Sequence, residues 1–183
     1  MFVDNIRIFA RAGKGGNGLV SFRRAKFVPK GGPDGGDGGD GGSVILEVDP
    51  HTNDLRSFFY DPKLIATDGV GGQSAKKHGK NGKSVIGKVP PGTIIYRSNA
   101  SSMAEATWLE REGEGIELEK IADLTEIGTR FTLCQGGLGG KGNWHFRSAT
   151  NQAPTEAEMG TEGEEGVFFM ELRRIADAGL VGY

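Results

Sequence analysis

Cysteine is all but missing. The single Cys134 excludes a disulfide framework and any metal site built from several thiolates. Within Phe131-Thr132-Leu133-Cys134 it reads as a small buried hydrophobe. No apolar run is long enough to span a bilayer. The N-terminal Met1-Phe2-Val3-Asp4-Asn5 also lacks the basic start and apolar stretch of a signal peptide, so the chain is expected to be soluble and cytoplasmic. Histidine is scarce: His51, His78 and His145 lie far apart in sequence and away from the cysteine, and neither a catalytic constellation nor a metal site is expected. Aromatics make up 8% and hydrophobic residues 36% of 183 residues, low values but sufficient for one domain with a core.

Glycine fills the space these absences leave. Of the 32 glycines, twelve fall within residues 13–42, and Gly31-Gly32-Pro33-Asp34-Gly35-Gly36-Asp37-Gly38-Gly39-Asp40-Gly41-Gly42 repeats with period three. A helix wants a period near 3.6 and a strand a period of 2; three residues per turn is the polyproline II repeat, with glycine where another backbone comes close. A flexible linker is the alternative. The run holds little serine and is flanked by the apolar stretches Phe27-Val28 and Val44-Ile45-Leu46, which favours packing. Further glycine clusters lie at residues 69–72, 79–82 and 136–142. Gly13-Lys14-Gly15-Gly16-Asn17-Gly18 and Gly137-Leu138-Gly139-Gly140-Lys141-Gly142 both satisfy GxGxxG, but neither opens a helix, so a dinucleotide site is not expected. Gly82-Lys83-Ser84 fails as a P-loop because Lys77 stands where the first glycine belongs. Gly35-Gly36-Asp37-Gly38-Gly39-Asp40 matches part of a calcium-binding nonapeptide, but one copy cannot build a β-roll.

Net charge is −2, yet the signs are segregated. Arg7, Arg11, Lys14, Arg23, Arg24, Lys26 and Lys30 form one acid-free stretch; Lys76, Lys77, Lys80, Lys83 and Lys88 belong to a second, and Arg130, Lys141 and Arg147 to a third. Acids gather within residues 105–126 and 156–177. The basic stretches touch the glycine-rich segments, so a near-neutral protein would present one positive end if those segments project together. Asp34, Asp37 and Asp40 are expected to face solvent or to accept backbone amides within the bundle. Asn143-Trp144-His145-Phe146-Arg147 interleaves aromatics and cations, which suits either base stacking or the buried face of a strand.

Short strands are expected over residues 2–10, 44–48, 55–60, 84–89, 93–97, 115–118 and 130–134, with single helical turns over 62–65 and 122–126. Residues 167–183 read as an apolar strand stopping at Gly182, either an ordinary strand or the strand that leads into a P-loop.

Val20-Ser21-Phe22-Arg23-Arg24, Phe27-Val28-Pro29-Lys30-Gly31-Gly32-Pro33-Asp34-Gly35-Gly36-Asp37-Gly38-Gly39, Val89-Pro90-Pro91-Gly92-Thr93, Ala122-Asp123-Leu124, Gly136-Gly137-Leu138-Gly139-Gly140-Lys141-Gly142-Asn143 and Ile175-Ala176-Asp177-Ala178-Gly179-Leu180-Val181-Gly182 resemble the Obg (CgtA) family of ribosome-associated GTPases over the whole chain. The resemblance implies a mainly β Obg fold, in which a β-barrel-like base carries a bundle of left-handed polyproline II helices. It implies an Obg domain over residues 1–159 and, over 160–183, a linker with the first strand of a truncated GTPase domain, Gly182 being the first residue of its phosphate loop. It implies a monomer that binds the large ribosomal subunit and its rRNA in subunit maturation and in growth or stress control. GTP and Mg2+ would serve the intact protein, with no cofactor and no catalysis in this stretch. The tip loops correspond to residues 23–32, 74–83 and 141–147, and the implied RNA contacts are Arg23, Arg24, Lys26, Lys30, Lys76, Lys77, His78, Lys80, Lys83, Lys141 and Arg147. Residues 98–115 depart from the pattern, being longer and more acidic than the usual hairpin. A purely structural glycine-rich interaction domain and a nucleotide-binding enzyme in its own right are the alternatives.

Overall fold

Alternating apolar residues give the base of the molecule its strands. The computed structural model describes residues 2–112 and 115–173. In β1 (Asn5–Arg11) Ile8 and Ala10 are fully buried while Arg11 is exposed, the period of 2 that a half-buried strand requires. β2 (Val44–Val48) buries Val44, Leu46 and Val48 in the same way. After α1 (Arg56–Tyr60) come β3 (Lys63–Ile65), β4 (Val85–Val89), β5 (Thr93–Ser98), α2 (Met103–Glu112), β6 (Leu118–Leu124), β7 (Arg130–Cys134), a 3-10 turn at Asn143–Phe146 and β8 (Glu165–Leu172). They form a five-stranded sheet in the order β3-β1-β8-β5-β6 and a three-stranded sheet in the order β4-β2-β7. Ile8, Phe168 and Met170 of the first and Val44, Leu46 and Leu133 of the second meet in one core with Leu55 and Phe58. The base is thus mainly β, as expected: two sheets sharing a core, with no closed barrel among the described strands.

Several local expectations change. Residues 55–60 were expected as a strand for their aromatics, but Leu55 and Phe58, three apart, are the buried pair, and the segment turns as α1 with the Arg56 amide donating to Asp54 Oδ1. The turns expected at 62–65 and 122–126 fall in β3 and at the end of β6: Phe9 to Arg11 pair in parallel with Lys63 to Ile65, and Leu124 pairs with Thr93. The acidic insertion carries α2. The Glu105 amide donates to Ser102 Oγ, and the Glu105 carboxylate reaches back to accept the Ser101 amide at Oε2, which caps the helix start. Ala106 is buried in a second small cluster with Ala100 and Val167, against which Phe9 and Leu109 pack.

β8 lies inside the large sheet. Its residues pair with β1 from Asn5↔Glu171 to Arg11↔Glu165 and with β5 from Thr93↔Leu172 to Arg97↔Phe168, so it is the central strand of the large sheet. Glu165–Leu172 thus pairs within the base sheet, inside the span 160–183 that the resemblance assigns to a linker and a first GTPase strand. The physical reason is burial of Val167, Phe168, Met170 and Leu172. Gly182, expected as a phosphate-loop residue, and the end of the expected GTPase strand lie outside the described residues.

The glycine-rich chain leaves the sheets as extended segments at residues 12–19, 34–43, 66–73, 77–84, 136–142 and 158–164. Their hydrogen bonds recur at every third residue. Gly13, Gly16 and Leu19 amides donate to Gly42, Gly39 and Gly36 carbonyls; Gly137, Gly140 and Asn143 donate to Gly13, Gly16 and Leu19; Gly36, Gly39 and Gly42 donate to Gln73, Val70 and Thr67. A side chain has no room at these crossings. A Cβ on Gly38 would stand 1.9 Å from the Gly16 carbonyl oxygen. Segments 12–19 and 34–43 lie in the middle, each bonded to strands of the bundle on several sides, which is why the glycine density peaks there.

Candidate nucleic-acid interface

Every bundle segment runs into a base strand at one end: 12–19 follows β1, 34–43 precedes β2, 66–73 follows β3, 77–84 leads into β4, 136–142 follows β7 and 158–164 precedes β8. The connecting loops at residues 20–33, 74–76 and 143–157 consequently gather at the far end, roughly 25 Å from the sheets at about 3 Å per extended residue.

The first loop is a hairpin closed by the Phe22↔Pro33 bridge and by the Arg23 amide on the Gly32 carbonyl at 3.0 Å. It exposes Arg23, Arg24, Lys26 and Lys30. The second is pinned to the first. The Lys76 amide donates to the Asp34 carbonyl at 2.7 Å and the Ala75 amide to Asp34 Oδ2 at 3.2 Å. The Lys76 ammonium in turn sits 4.9 Å from the Trp144 ring centre, joining the third loop. Between the first two loops lies a cleft of about 710 Å3 lined by Arg23, Arg24, Asp34 and Ser74 among others.

Asn143 fixes this end, and sequence reasoning missed it. Its side chain is fully buried; Oδ1 accepts the Gly35 amide at 2.9 Å while Nδ2 donates to the Ser21 and Pro154 carbonyls, both at 3.0 Å. Burial of a lone amide between glycines is a tertiary property with no local signature. Residues 143–146 form a 3-10 turn, so the reading of Trp144 and Phe146 as one face of a strand is replaced: Trp144 carries Lys76 on its ring and stacks on His145 at 3.9 Å. The aspartates do accept amides as expected, Asp37 Oδ1 from Gly142 and Asp40 Oδ1 from Gly139, both at 2.8 Å. His145 Nε2 lies 2.8 Å from Asp37 Oδ2. Burial pushes the Asp37 carboxyl upward, but the Gly142 amide and His145 outweigh it and hold it below its ordinary value of 3.8.

The basic residues do not all converge. Arg23, Arg24, Lys26, Lys30, Lys76 and Arg147 lie in or beside the three loops. Lys77 starts the flanking segment, with its carbonyl on the Gln73 amide, and His78 follows it. Lys80 is a turn further down, and Lys83 reaches the base end, where its carbonyl takes the Thr67 amide. Lys141 stands near the third loop with Glu158 beside it, the Glu158 amide donating to the Lys141 carbonyl at 2.9 Å. Backbone strain gathers at the same end: among the described residues the non-glycines with positive φ are Phe27 at 67°, Ala75 at 60° and Lys76 at 55°.

The sequence matches the GTP1/OBG family over residues 3–174. The chain belongs to this family. It is 49% identical over its whole length to the GTPase Obg of Methylacidiphilum infernorum, 48% identical to that of Nautilia profundicola and 46% identical to that of Clostridioides difficile. It spans 50%, 46% and 39% of those proteins respectively. The glycine motifs of this Obg-family chain do not fit a nucleotide. In the first GxGxxG the amides of Gly13, Gly15, Gly16 and Gly18 donate to carbonyls of Gly42, Thr161, Gly39 and Glu158. In the second, Gly137 and Gly140 donate to Gly13 and Gly16, and Gly139 and Gly142 to Asp40 and Asp37. Those glycine amides are engaged inside the bundle rather than free to cradle a phosphate. Among the described residues, no helix is long and apolar enough to cross a membrane.

Proposed function

We propose that this chain is the RNA-binding part of a ribosome-associated GTPase acting in maturation of the large ribosomal subunit and in growth or stress control. The observation that supports it most is the meeting of acid-poor loops, with Arg23, Arg24, Lys26, Lys30 and Lys76, at the end of the molecule remote from its core. The bundle segments, as polyproline II helices, act as stiff spacers: loops held in place before binding lose little entropy on contact and neutralise rRNA phosphates at fixed separation. GTP hydrolysis with Mg2+ belongs to the intact, longer protein, in residues other than the bundle glycines. The protein acts in the cytoplasm as a monomer.

Pelleting with purified large ribosomal subunits tests this. The wild-type chain should cosediment, less so as salt rises. Replacing Arg23, Arg24 and Lys76 together by glutamate should abolish cosedimentation and leave the melting temperature unchanged. Lys83→Glu, at the base end, should bind nearly as well as wild type. Unchanged cosedimentation of the triple variant would sink the reading.

A further inference from the structure

Phe27 has the most exposed of the large apolar side chains among the described residues, at 90%. It stands in the tight turn at the apex of the first loop, closed by the Val28 amide on the Ala25 carbonyl at 3.0 Å. Its backbone is left-handed, a conformation that bulky residues avoid. The turn thus holds a ring outward in a strained conformation with little packing in return, the reverse of what an apolar flank to a packed glycine run would do. The Lys26 ammonium lies 5.2 Å from the ring centre, and Arg23, Arg24 and Lys30 are exposed in the same loop. Trp144 differs, because Lys76 and His145 already engage its ring and it is only partly exposed.

We propose that Phe27 is a base-stacking residue that receives an unpaired RNA nucleobase on its open face while the surrounding cations hold the flanking phosphates. This rests on the RNA-binding reading above. Stacking suits an aromatic with no polar handle, since every base presents a π-face, and it requires an unpaired nucleotide because bases within a duplex are already stacked.

Affinities of the wild-type chain and of Phe27→Ala, Phe27→Leu and Phe27→Tyr for purified large ribosomal subunits, measured at two salt concentrations, test it. Phe27→Ala should weaken binding about tenfold, Phe27→Leu nearly as much, and Phe27→Tyr less than about twofold. The salt dependence should be the same in all four, because no phosphate contact is removed. Equal binding by wild type and Phe27→Ala, or a Phe27→Leu as tight as Phe27→Tyr, overturns the stacking role and leaves the electrostatic reading standing. Failure of the wild type to bind at any salt overturns both. Wild type that exceeds Phe27→Ala on phosphatidylglycerol vesicles but equals it on ribosomal subunits assigns the ring to lipid and overturns the proposal.

Discussion

Asp34, Asp37 and Asp40 occupy the positions of the period-three run where a side chain fits, and each reaches an amide elsewhere: Ala75, Gly142 and Gly139. They bond the central segment laterally to its neighbours. Asp37 makes this measurable. Its folded pKa lies below the ordinary 3.8, so its contribution is complete above the unfolded value and disappears as pH falls through the folded one. Asp37→Asn should melt a few degrees below wild type at pH 6, and the gap should close as pH is lowered from 5 towards 2. A gap that stays constant over that range would contradict the role. At this scale the site was half legible. Charges and aspartates were read directly, whereas Asn143 and Phe27 were not, because nothing local distinguishes a buried asparagine or an outward phenylalanine.

At the level of elements, strands and bundle segments differ in what specifies them. β2 and β7 could be read to the residue, since their β-branched, aromatic and apolar residues are bounded by turn residues. α1 and α2 could not be. The aromatic composition of α1 outweighed its three-residue spacing, and α2 hid behind its acids although Ser102 and Glu105 carried a capping signature. Bundle segments depend on glycine at each crossing. A Cβ on Gly35 would stand 1.8 Å from the Leu19 carbonyl oxygen, and one on Gly38 as close to that of Gly16. Gly35→Val or Gly38→Val should therefore cost roughly 3 kcal/mol or more, whereas Gly32→Val, with nothing within 4 Å of its Cβ, should melt close to wild type. Chemical denaturation of the three variants checks this, and equal midpoints would remove the packing argument.

For the whole molecule, the sheets close around a strand that arrives last. Burying Val167, Phe168, Met170 and Leu172 contributes roughly 6–12 kcal/mol, comparable to the entire net stability of a domain this size. A chain ending at residue 173 should fold and melt cooperatively, whereas one ending at residue 164 should not fold. Circular dichroism melts of the two distinguish the cases, and a cooperative transition in the shorter chain would show that the base folds without β8. The sequence by itself determined that glycine backbones pack against one another, because a three-residue period with no side chain permits little else, and that cations and carboxylates keep to separate stretches. Which cations reach the tip, which aromatic stands outward and which strand completes the base were decided only by the tertiary structure. The reason is that the contacts responsible, such as Asp37 with Gly142 and Asn5 with Glu171, join residues more than a hundred positions apart, beyond the reach of any local pattern.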